Sequence, residues 1–501
     1  MSQAAIQLLE RMRAQGVSLA GLSADSRSVA PGEAFLAFPG QRSDGRRFIA
    51  EALARGPSAV LWEALGGQRP EHCPVPEFGV EGLRELSGFL ADEVYGRPSE
   101  QLWLAGVTGT NGKTTVSQWL ARALTDLGLR CGVIGTLGTG FPGALKPGLN
   151  TTPDAIALHR LLVDFLREKA GAAAMEVSSI GLDQGRVNGA RFDLAIHTNL
   201  TRDHLDYHGS MERYAEAKAK LFEFPDIEAS IINLDDNFGL ALARRLVSRG
   251  ARVIGYTQID ANLAAVPGAE ILAARGVRTT AAGLQFEANW GGGQASLHPR
   301  MVARFNVSNL LAVLAALLQR GVSLEEAATV AARMTPPEGR MQLVGGIGEP
   351  LVIIDYAHTP DALAQVLEAA RGSAEARRGR LTCVFGCGGD RDAGKRPMMG
   401  EVARTCADRV LITSDNPRSE DPLAILVDIA AGAGAHAEQV VDRSEAILRA
   451  VLEAGANDVV VVAGKGHEPY QEVHGQRLPY SDIAEVRKAL QAWERQQEGR
   501  A

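Results

Sequence analysis

A glycine-rich segment is the clearest chemical signal in this 501-residue sequence. It reads GVTGTNGKTT over residues 106–115, between the apolar run 102–107 and the helical pattern 113–127. In that setting backbone N–H groups and the helix N-terminus can hold phosphate oxygens, Lys113 can supply a cation, and the Thr114 hydroxyl can complete Mg²⁺ coordination. The spacing departs from the usual phosphate loop, because Val107 stands five residues before Gly112 and a glycine falls one residue earlier. We predict a nucleotide phosphate site, with a simple connecting turn as the alternative.

Two side chains that could bind a metal follow predicted parallel strands. Glu176 comes directly after the apolar run 172–175, and His204 lies in the loop after the run 193–198. Open α/β sheets place their ligands at the carboxyl ends of such strands. A lone Glu is more often a solvated surface group and a lone His a structural one, so neither position is decisive by itself. Lys218 and Lys220, in the helical pattern 211–222, are interpreted from composition alone as solvated lysines.

The elements that must position these side chains alternate between strands and helices, which predicts parallel sheets covered on both faces. A short polar segment, 96–99, is predicted to be a linker, and Pro336 and Pro337 end a mostly helical stretch, 306–334. We therefore expect three domains, at 1–98, 99–336 and 337–501. The glycines at 291–293 predict a hairpin or a flexible loop. The predicted strands of the second and third domains are 102–107, 131–134, 172–175, 193–198, 230–233, 351–355, 381–385, 410–413 and 458–463.

Composition excludes several classes of protein. The formal net charge of −7 argues against a general nucleic-acid-binding surface. Five scattered cysteines without a CxxC pair indicate reduced thiols, with neither a disulfide framework nor a zinc site. The first 16 residues lack an apolar signal core, and no uninterrupted apolar stretch is long enough to cross a bilayer. We expect a cytoplasmic protein without membrane or nucleic-acid partners.

The phosphate-loop string from Thr108 to Thr115 resembles that of the Mur ligase family and of its relative, folylpolyglutamate synthase. Further motifs resemble the Mur ligases, above all the member that adds the third amino acid of the peptidoglycan precursor. The resemblance implies a small α/β N-terminal domain, a central P-loop domain with a parallel sheet, and a Rossmann-like C-terminal α/β domain. The motifs lie at 150–153, 175–182, 199–208, 355–360 and 386–391.

The resemblance also implies the reaction. ATP would phosphorylate the carboxylate of UDP-N-acetylmuramoyl-L-alanyl-D-glutamate, and an amino acid would then attack the acyl phosphate. The segment Asp415 to Arg418 is similar to the family motif whose arginine faces the distal carboxylate of meso-diaminopimelate. A guanidinium binds such a carboxylate well, whereas the side chain of an L-lysine substrate offers no carboxylate and would be repelled. The L-lysine-adding form and folylpolyglutamate synthase are the alternatives among ligases. A P-loop NTPase that switches or binds partners without ligating is the alternative from another class.

Site residues are carried over from the same resemblance, for a protein expected to be a monomer that uses Mg²⁺. Lys113, Lys218 and His204 are expected in catalysis, with Lys218 preferred over Lys220 as the family's carbamylated lysine (N6-carboxylysine). The metal ligands would be Thr114, Glu176, His204 and the Lys218 carbamate. The nucleotide residues would be Gly109, Thr110, Asn111, Gly112, Lys113, Thr114, Thr115, Asn309, Arg340 and His358. The UDP-linked dipeptide would contact Ala24, Ser26, Gln41, Arg42, Ser43, Asn150, Thr151, Thr152, Ser178, Gln184 and Arg186. Diaminopimelate would contact Arg391, Asp415, Asn416, Pro417, Arg418, Gly464 and Glu468.

Overall fold

The computed structural model describes residues 1–40, 43–66, 73–148, 150–280 and 283–499, with the backbone alone at residue 206. The chain forms two compact units. The first comprises 1–272 with 312–322, and the second comprises 273–311 with 323–501. The three domain boundaries expected from the sequence remain a prediction.

The first hundred residues of the first unit form a small α/β layer. Four parallel strands lie in the order β1-β2-β3-β4: β1 Gly21–Ser23, β2 Glu33–Ala37, β3 Ala59–Glu63 and β4 Glu77–Val80. The helices are α1 Ser2–Ala14, α2 Ile49–Leu53 and α3 Leu83–Val94. Leu36, Leu61 and Phe78 form a buried core with apolar residues of α1 and α3. The predicted small α/β layer is confirmed.

The rest of the first unit is built on a second parallel sheet, with strand order β12-β11-β10-β5-β9-β6. Its strands are almost wholly apolar because helices cover both faces. Two antiparallel strands, β7 Gly138–Phe141 and β8 Ala144–Lys146, extend the β6 edge. The parallel strands are β5 Trp103–Thr108, β6 Cys131–Gly135, β9 Ala172–Glu176, β10 Leu194–His197, β11 Ala229–Asn233 and β12 Val253–Thr257. The helices are α4 Lys113–Asp126, α5 Ala155–Arg167, α6 Ser179–Asp183, α7 Leu205–His208, α8 Met211–Ala219 and α9 Asn237–Ser248.

The second unit contains an antiparallel group and a second doubly covered sheet. Strand β13 Glu270–Thr280, whose residues 270–272 belong to the first unit, pairs with β14 Gly283–Trp290. Strand β14 turns through Gly291 and Gly292 into β15 Gly293–Leu297, so the predicted hairpin is confirmed. The larger sheet has the order β16-β17-β21-β18-β19-β20, antiparallel only between β16 and β17. These strands are β16 Gln342–Gly345, β17 Leu351–Asp355, β18 Leu381–Phe385, β19 Arg409–Ile412, β20 Glu438–Gln439 and β21 Val459–Ala463, and a separate hairpin follows at β22 Tyr470–Val473 and β23 Gln476–Pro479. The helices are α10 Phe305–Gln319, whose last residues lie in the first unit, α11 Leu324–Ala331, α12 Pro360–Arg377, α13 Lys395–Cys406, α14 Pro422–Ala433, α15 Arg443–Leu452 and α16 Asp482–Glu498.

The structure adds detail to two sequence-based expectations. The segment 96–99 is less of a free linker than predicted: Pro98–Gln101 forms a 3-10 helix, and buried Ser99 accepts a hydrogen bond from the backbone N–H of Arg191 at 3.0 Å. The helical stretch 306–334 is divided, because Gly321 adopts a positive φ and Ser323 then caps a new helix. Across the described ranges, no helix has the length and apolar character needed to cross a membrane.

Candidate active site

The phosphate loop lies between the end of β5 and the start of α4, as the sequence predicts. Gly109 (φ +147°) and Gly112 (φ +85°) adopt backbone conformations that favour glycine. The next strand's end fixes the loop: the Thr198 hydroxyl donates to the Asn111 carbonyl at 2.5 Å, and the Asn111 N–H donates to the Asn199 side chain at 2.9 Å. A side chain at position 109 would overlap the Thr198 hydroxyl, so this close approach requires glycine.

Two lysines meet at one carbonyl of this loop. Lys113, the first residue of α4, donates from Nζ to the carbonyls of Gly109 at 2.9 Å and Thr110 at 2.8 Å. Lys218, on α8, donates to the same Gly109 carbonyl at 2.8 Å. The structure therefore brings both predicted catalytic lysines to the phosphate loop, although positions 113 and 218 are 105 residues apart in the sequence.

Lys218 and Lys220 occupy different environments. Lys218 is only 1% exposed and lies 4.4 Å from the centre of the Tyr214 ring, so its interpretation as a solvated lysine is wrong. Burial lowers the pKa of Lys218 well below its usual range, and the charge of Lys113 lowers it further. Lys220 remains half-exposed and pairs with Asp183 at 2.9 Å. The setting of Lys218 therefore favours the neutral amine.

Glu176 is a buried carboxylate at the end of β9, next to the first turn of α4. It accepts hydrogen bonds from the Thr114 hydroxyl at 3.0 Å, the Thr136 N–H at 2.7 Å and the Thr136 hydroxyl at 3.1 Å. These donors are neutral, so they do not balance its charge. A carboxylate and a hydroxyl at one place suit a hard divalent cation. Within the described residues no cluster of three or more His, Cys, Asp or Glu side chains could hold a metal, so a cation here would need further oxygen ligands.

Tyr214 connects His204 to the phosphate loop. Its backbone is left-handed (φ +51°), its half-exposed ring is 3.4 Å from the Asp203 carboxylate, and the ring centre is 6.3 Å from that of Tyr214. The Tyr214 hydroxyl is in turn 3.1 Å from the Thr110 hydroxyl. The buried His208, which was not predicted as a site residue, also packs against Tyr214, with ring centres 5.2 Å apart.

The residues expected to hold the dipeptide form one connected cluster. The Thr152 hydroxyl lies 3.0 Å from both the Glu176 carbonyl and the Ser178 hydroxyl, and Ser178 caps α6. Arg186 donates to the Thr152 carbonyl at 3.0 Å and to Gln184 Oε1 at 2.7 and 3.0 Å. Burial lowers the pKa of Arg186, and the hydrogen-bond acceptors of its guanidinium are neutral oxygens. A ligand carboxylate would supply the missing charge.

The remaining predicted dipeptide and uridine residues are more dispersed. The Thr151 hydroxyl is 3.0 Å from that of Thr136 and so adjoins Glu176, while Asn150 is exposed. After β1, Ala24 is exposed, and buried Ser26 donates to Glu51 at 3.0 Å. The Ser43 carbonyl accepts from the Gly40 N–H at 2.8 Å. The predicted contacts at residues 41 and 42 lie outside the described residues.

In the second unit, the predicted amino-acid residues surround a lysine that sequence reasoning missed. Lys465 is fully buried and donates from Nζ to Asn416 Oδ1 at 2.9 Å, Glu468 Oε2 at 3.2 Å and Asp415 Oδ1 at 3.4 Å. Gly464, with φ +117°, binds the Asp355 carbonyl through its N–H. The signal that could have found Lys465 is the Gly-Lys-Gly triplet directly after β21.

Arg418 is held by the β22–β23 hairpin. Its backbone is left-handed (φ +51°) and exchanges hydrogen bonds with the hairpin, from its own N–H to the Glu472 carbonyl at 3.0 Å and from the His474 N–H to its carbonyl at 2.7 Å. The guanidinium donates to the Gly389 carbonyl at 2.7 Å and lies 3.5 Å from the Glu472 carboxylate. Pro417 is buried beside it and Arg391 is exposed. Neither the hairpin nor Glu472 was predicted.

A buried ion pair supports the backbone on both sides of this cluster. Arg443 and Asp482 are both fully buried, with a shortest N–O distance of 2.7 Å. The Arg443 guanidinium also donates to the Ser414 carbonyl at 3.3 Å and the Ala463 carbonyl at 2.9 Å. These carbonyls immediately precede the predicted binding segments, so the pair fixes the point at which each segment leaves the sheet.

The predicted nucleotide residues of the second unit occupy two places. The Arg340 guanidinium lies 4.9 Å from the centre of the Tyr356 ring, and His358 Nδ1 is 2.9 Å from the Tyr356 carbonyl. Asn309 is buried on α10, where its side chain donates to Asn306 at 3.2 Å. Arg340 and His358 thus share Tyr356, whereas Asn309 belongs to a separate contact.

Known proteins match nearly the whole chain. Family models described as "Mur ligase family, catalytic domain", "Mur ligase middle domain" and "Mur ligase, glutamate ligase domain" match residues 18–94, 107–317 and 339–466. The chain is 50% identical over 481 residues to a UDP-N-acetylmuramoyl-L-alanyl-D-glutamate--2,6-diaminopimelate ligase of Pseudomonas putida, covering 94% of this chain and 95% of the relative. The ligase of that name from Pseudomonas aeruginosa is 50% identical over 476 residues, with the same coverage. A solved structure with that ligase name is 36% identical, has a TM-score of 0.71 and is matched over 95% of each chain. This chain belongs to the Mur ligase family.

Proposed function

We propose that this protein is an ATP-dependent ligase that adds meso-diaminopimelate to UDP-N-acetylmuramoyl-L-alanyl-D-glutamate during peptidoglycan synthesis. Relatives about half identical over nearly the full chain carry that ligase name. The structural observation that carries the proposal is the meeting of Lys113 and Lys218 at the Gly109 carbonyl, beside the buried Thr114–Glu176 pair. A phosphate-transfer site needs such cations and oxygen ligands together.

The proposed reaction has two steps. In the first, the substrate carboxylate attacks the γ-phosphorus of ATP, so that an acyl phosphate and ADP form. In the second, the amine of diaminopimelate attacks the acyl carbon, and a tetrahedral intermediate collapses with release of phosphate and a proton. Lys113 stabilises the negative charge on the phosphate that is transferred, and the loop N–H groups from Gly109 to Thr115 hold the nucleotide phosphates. Arg340, His358 and Asn309 are the proposed nucleotide contacts of the second unit.

The donor set fits a magnesium ion. Thr114, Glu176 and His204 would hold Mg²⁺, which would supply positive charge to stabilise the negative charge of the transferred phosphate. The neutral Nζ of Lys218 would attack CO₂ and lose a proton, which gives an anionic carbamate as a further ligand. The burial of Lys218 supports this step, because the neutral amine is the form that reacts.

Substrate contacts follow from charge. Arg186, whose protein partners are neutral, is the proposed partner of the dipeptide carboxylate, with Asn150, Thr151, Thr152, Ser178 and Gln184 around it. Ala24, Ser26 and Ser43 are proposed for the uridine end. Arg418 and Arg391 would bind the carboxylates of diaminopimelate and Glu468 an ammonium, and the remaining proposed contacts are Asp415, Asn416, Pro417 and Gly464. We also propose a monomer in the cytoplasm, a reducing compartment in keeping with cysteines that form no disulfide among the described residues.

One assay tests the proposed function. Phosphate release from ATP is measured with the UDP-linked dipeptide and, in turn, meso-diaminopimelate or L-lysine, and the product mass is determined. We expect rapid release and a product larger than the dipeptide precursor by diaminopimelate less water. Predominant addition of lysine would overturn the substrate assignment. Phosphate release without any amide product would favour an NTPase over a ligase.

A further inference from the structure

Lys465 contacts three of the proposed amino-acid-binding residues, and these contacts indicate a role for the lysine itself. An ammonium group has three N–H donors, and the structure gives Lys465 Nζ three oxygen acceptors, on Asn416, Glu468 and Asp415. Its side chain is 0% exposed. With its donors engaged and no access to solvent, Lys465 has no hydrogen bond to offer a substrate. Any effect on the reaction must pass through its three partners.

The same contacts fix the orientation of Asn416. Its Oδ1 accepts from both Lys465 Nζ at 2.9 Å and the Glu472 N–H at 2.9 Å, so this end of the side chain must be the oxygen. The Nδ2 group then points to Glu468 Oε2, at 2.8 Å. Lys465 and Asn416 thus both donate to Oε2 of Glu468, and among the described residues no hydrogen bond engages Oε1, which can therefore accept from a ligand.

Charge gives the arrangement a second consequence. Asp415 is buried and Glu468 only partly exposed, and Lys465 lies between these two carboxylates at 3.4 and 3.2 Å. Without a cation between them, two carboxylates in so little water repel each other and cannot keep one geometry. With Lys465 present, the three groups have a net charge of −1, which one substrate ammonium would balance.

We propose that Lys465 is a positioning residue for the amino-acid substrate: it holds Asn416 and Glu468 so that Glu468 Oε1 receives the substrate ammonium. This inference rests on the proposed function for the role of Glu468. Lys465 acts on amino-acid binding, and not on the nucleotide or the UDP-linked dipeptide.

The test compares Lys465→Met, Glu468→Gln and the double variant with the wild type. A matched control is Lys488→Met, which removes a lysine that is 71% exposed and paired with Glu485 at 2.8 Å. For each protein the KM of the amino acid, of ATP and of the UDP-linked dipeptide are measured, together with the melting temperature. Product mass from the wild type first establishes which amino acid is added, and that amino acid is used throughout.

We expect Lys465→Met to raise the KM of the amino acid about tenfold or more, with the other two KM values within about twofold. The double variant should be little worse than Glu468→Gln alone, because Lys465 works through Glu468. Equal rises in all three KM values, or effects of the two substitutions that multiply, would overturn the proposal. If Lys465→Met does not fold, Lys465→Gln, which removes the positive charge but keeps N–H donors, is measured instead: a rise confined to the KM of the amino acid supports the proposal, and equal rises in all three KM values or no rise overturn it. A wild type that makes no amide product refutes the proposed function instead, and calorimetric binding of meso-diaminopimelate to wild type and variant then decides the role of Lys465: weaker binding supports it and equal binding overturns it.

Discussion

Replacing Arg418 by Ala is the sharpest test of amino-acid choice. The guanidinium is 22% exposed, donates to the Gly389 carbonyl at 2.7 Å and lies 3.5 Å from the Glu472 carboxylate. A guanidinium has five N–H donors, and within the described residues two of them face these partners. The other three remain available for the distal carboxylate of meso-diaminopimelate. The left-handed backbone at this position is held by the hairpin through main-chain bonds, which the substitution does not remove.

The expected loss follows from that geometry. A charge-assisted, two-point contact between guanidinium and carboxylate contributes about 2 to 4 kcal/mol when it is shielded from water. Because Arg418 is partly exposed, we expect the lower part of that range, about 2 to 3 kcal/mol, or roughly 30- to 150-fold in kcat/KM for diaminopimelate. L-Lysine lacks the distal carboxylate, so its poor use should change little.

The assay is product formation with diaminopimelate and lysine in competition, followed by KM measurement for each substrate. Arg404→Ala is the control, because Arg404 is exposed and its nearest ion-pair distance, to Glu401, is a long 3.9 Å. This substitution should leave all values near those of the wild type. A parallel loss for ATP, the UDP-linked dipeptide and diaminopimelate would show that Arg418 supports the fold. Undiminished preference for diaminopimelate in the Arg418→Ala enzyme would refute its role as the carboxylate reader.

Three further results are expected. Lys113→Ala should abolish ligation without lowering the melting temperature, and near-normal phosphate release would contradict the phosphate-loop assignment. Lys218→Ala should lose most activity and regain part of it with added short carboxylic acids, whereas Lys220→Ala should be close to wild type; the opposite order would single out Lys220. Asp92→Asn should stabilise the protein at pH 8 more than at pH 5, because burial raises the pKa of Asp92 to about 7. Folding thus favours the neutral carboxyl, and stability is lost as the pH rises through about 7, by at most about 4 kcal/mol. Melting temperatures of variant and wild type at both pH values measure this, and an unchanged difference would refute it.

The sequence predicted the sheets better than the connections. The runs 351–355 and 381–385 are strands with those same bounds, because buried parallel strands are short apolar runs that stand out from their surroundings. The stretch 306–334 was harder, because an apolar helix, a glycine turn and a second helix share one helical pattern. The β22–β23 hairpin has a partly buried first strand and an exposed second strand, and it has no apolar alternation by which it could be recognised.

In the candidate site, too, features carried by contiguous residues were predicted and features made by distant residues were not. The phosphate loop was predictable because its residues are contiguous and its strand and helix lie on either side. The burial of Lys218 was not, because its hydrogen-bond acceptor is 109 positions away along the chain. Lys465 is 50 positions from Asp415, and its Gly-Lys-Gly context resembles an ordinary turn. Long-range packing, which local composition does not encode, brings these two lysines to the candidate site residues.

The meeting of Lys113 and Lys218 at one carbonyl is costly for the folded protein. Two ammonium groups at the Gly109 carbonyl repel each other, and burial disfavours the charged form of Lys218. A lysine retained at a place that does not suit its charged state is better explained by chemistry than by stability. The neutral amine can still donate an N–H to the Gly109 carbonyl, and it is the form that reacts with CO₂. Carbamylation would then place a negative charge beside Lys113, so the proposed modification would replace repulsion between the two lysines with attraction.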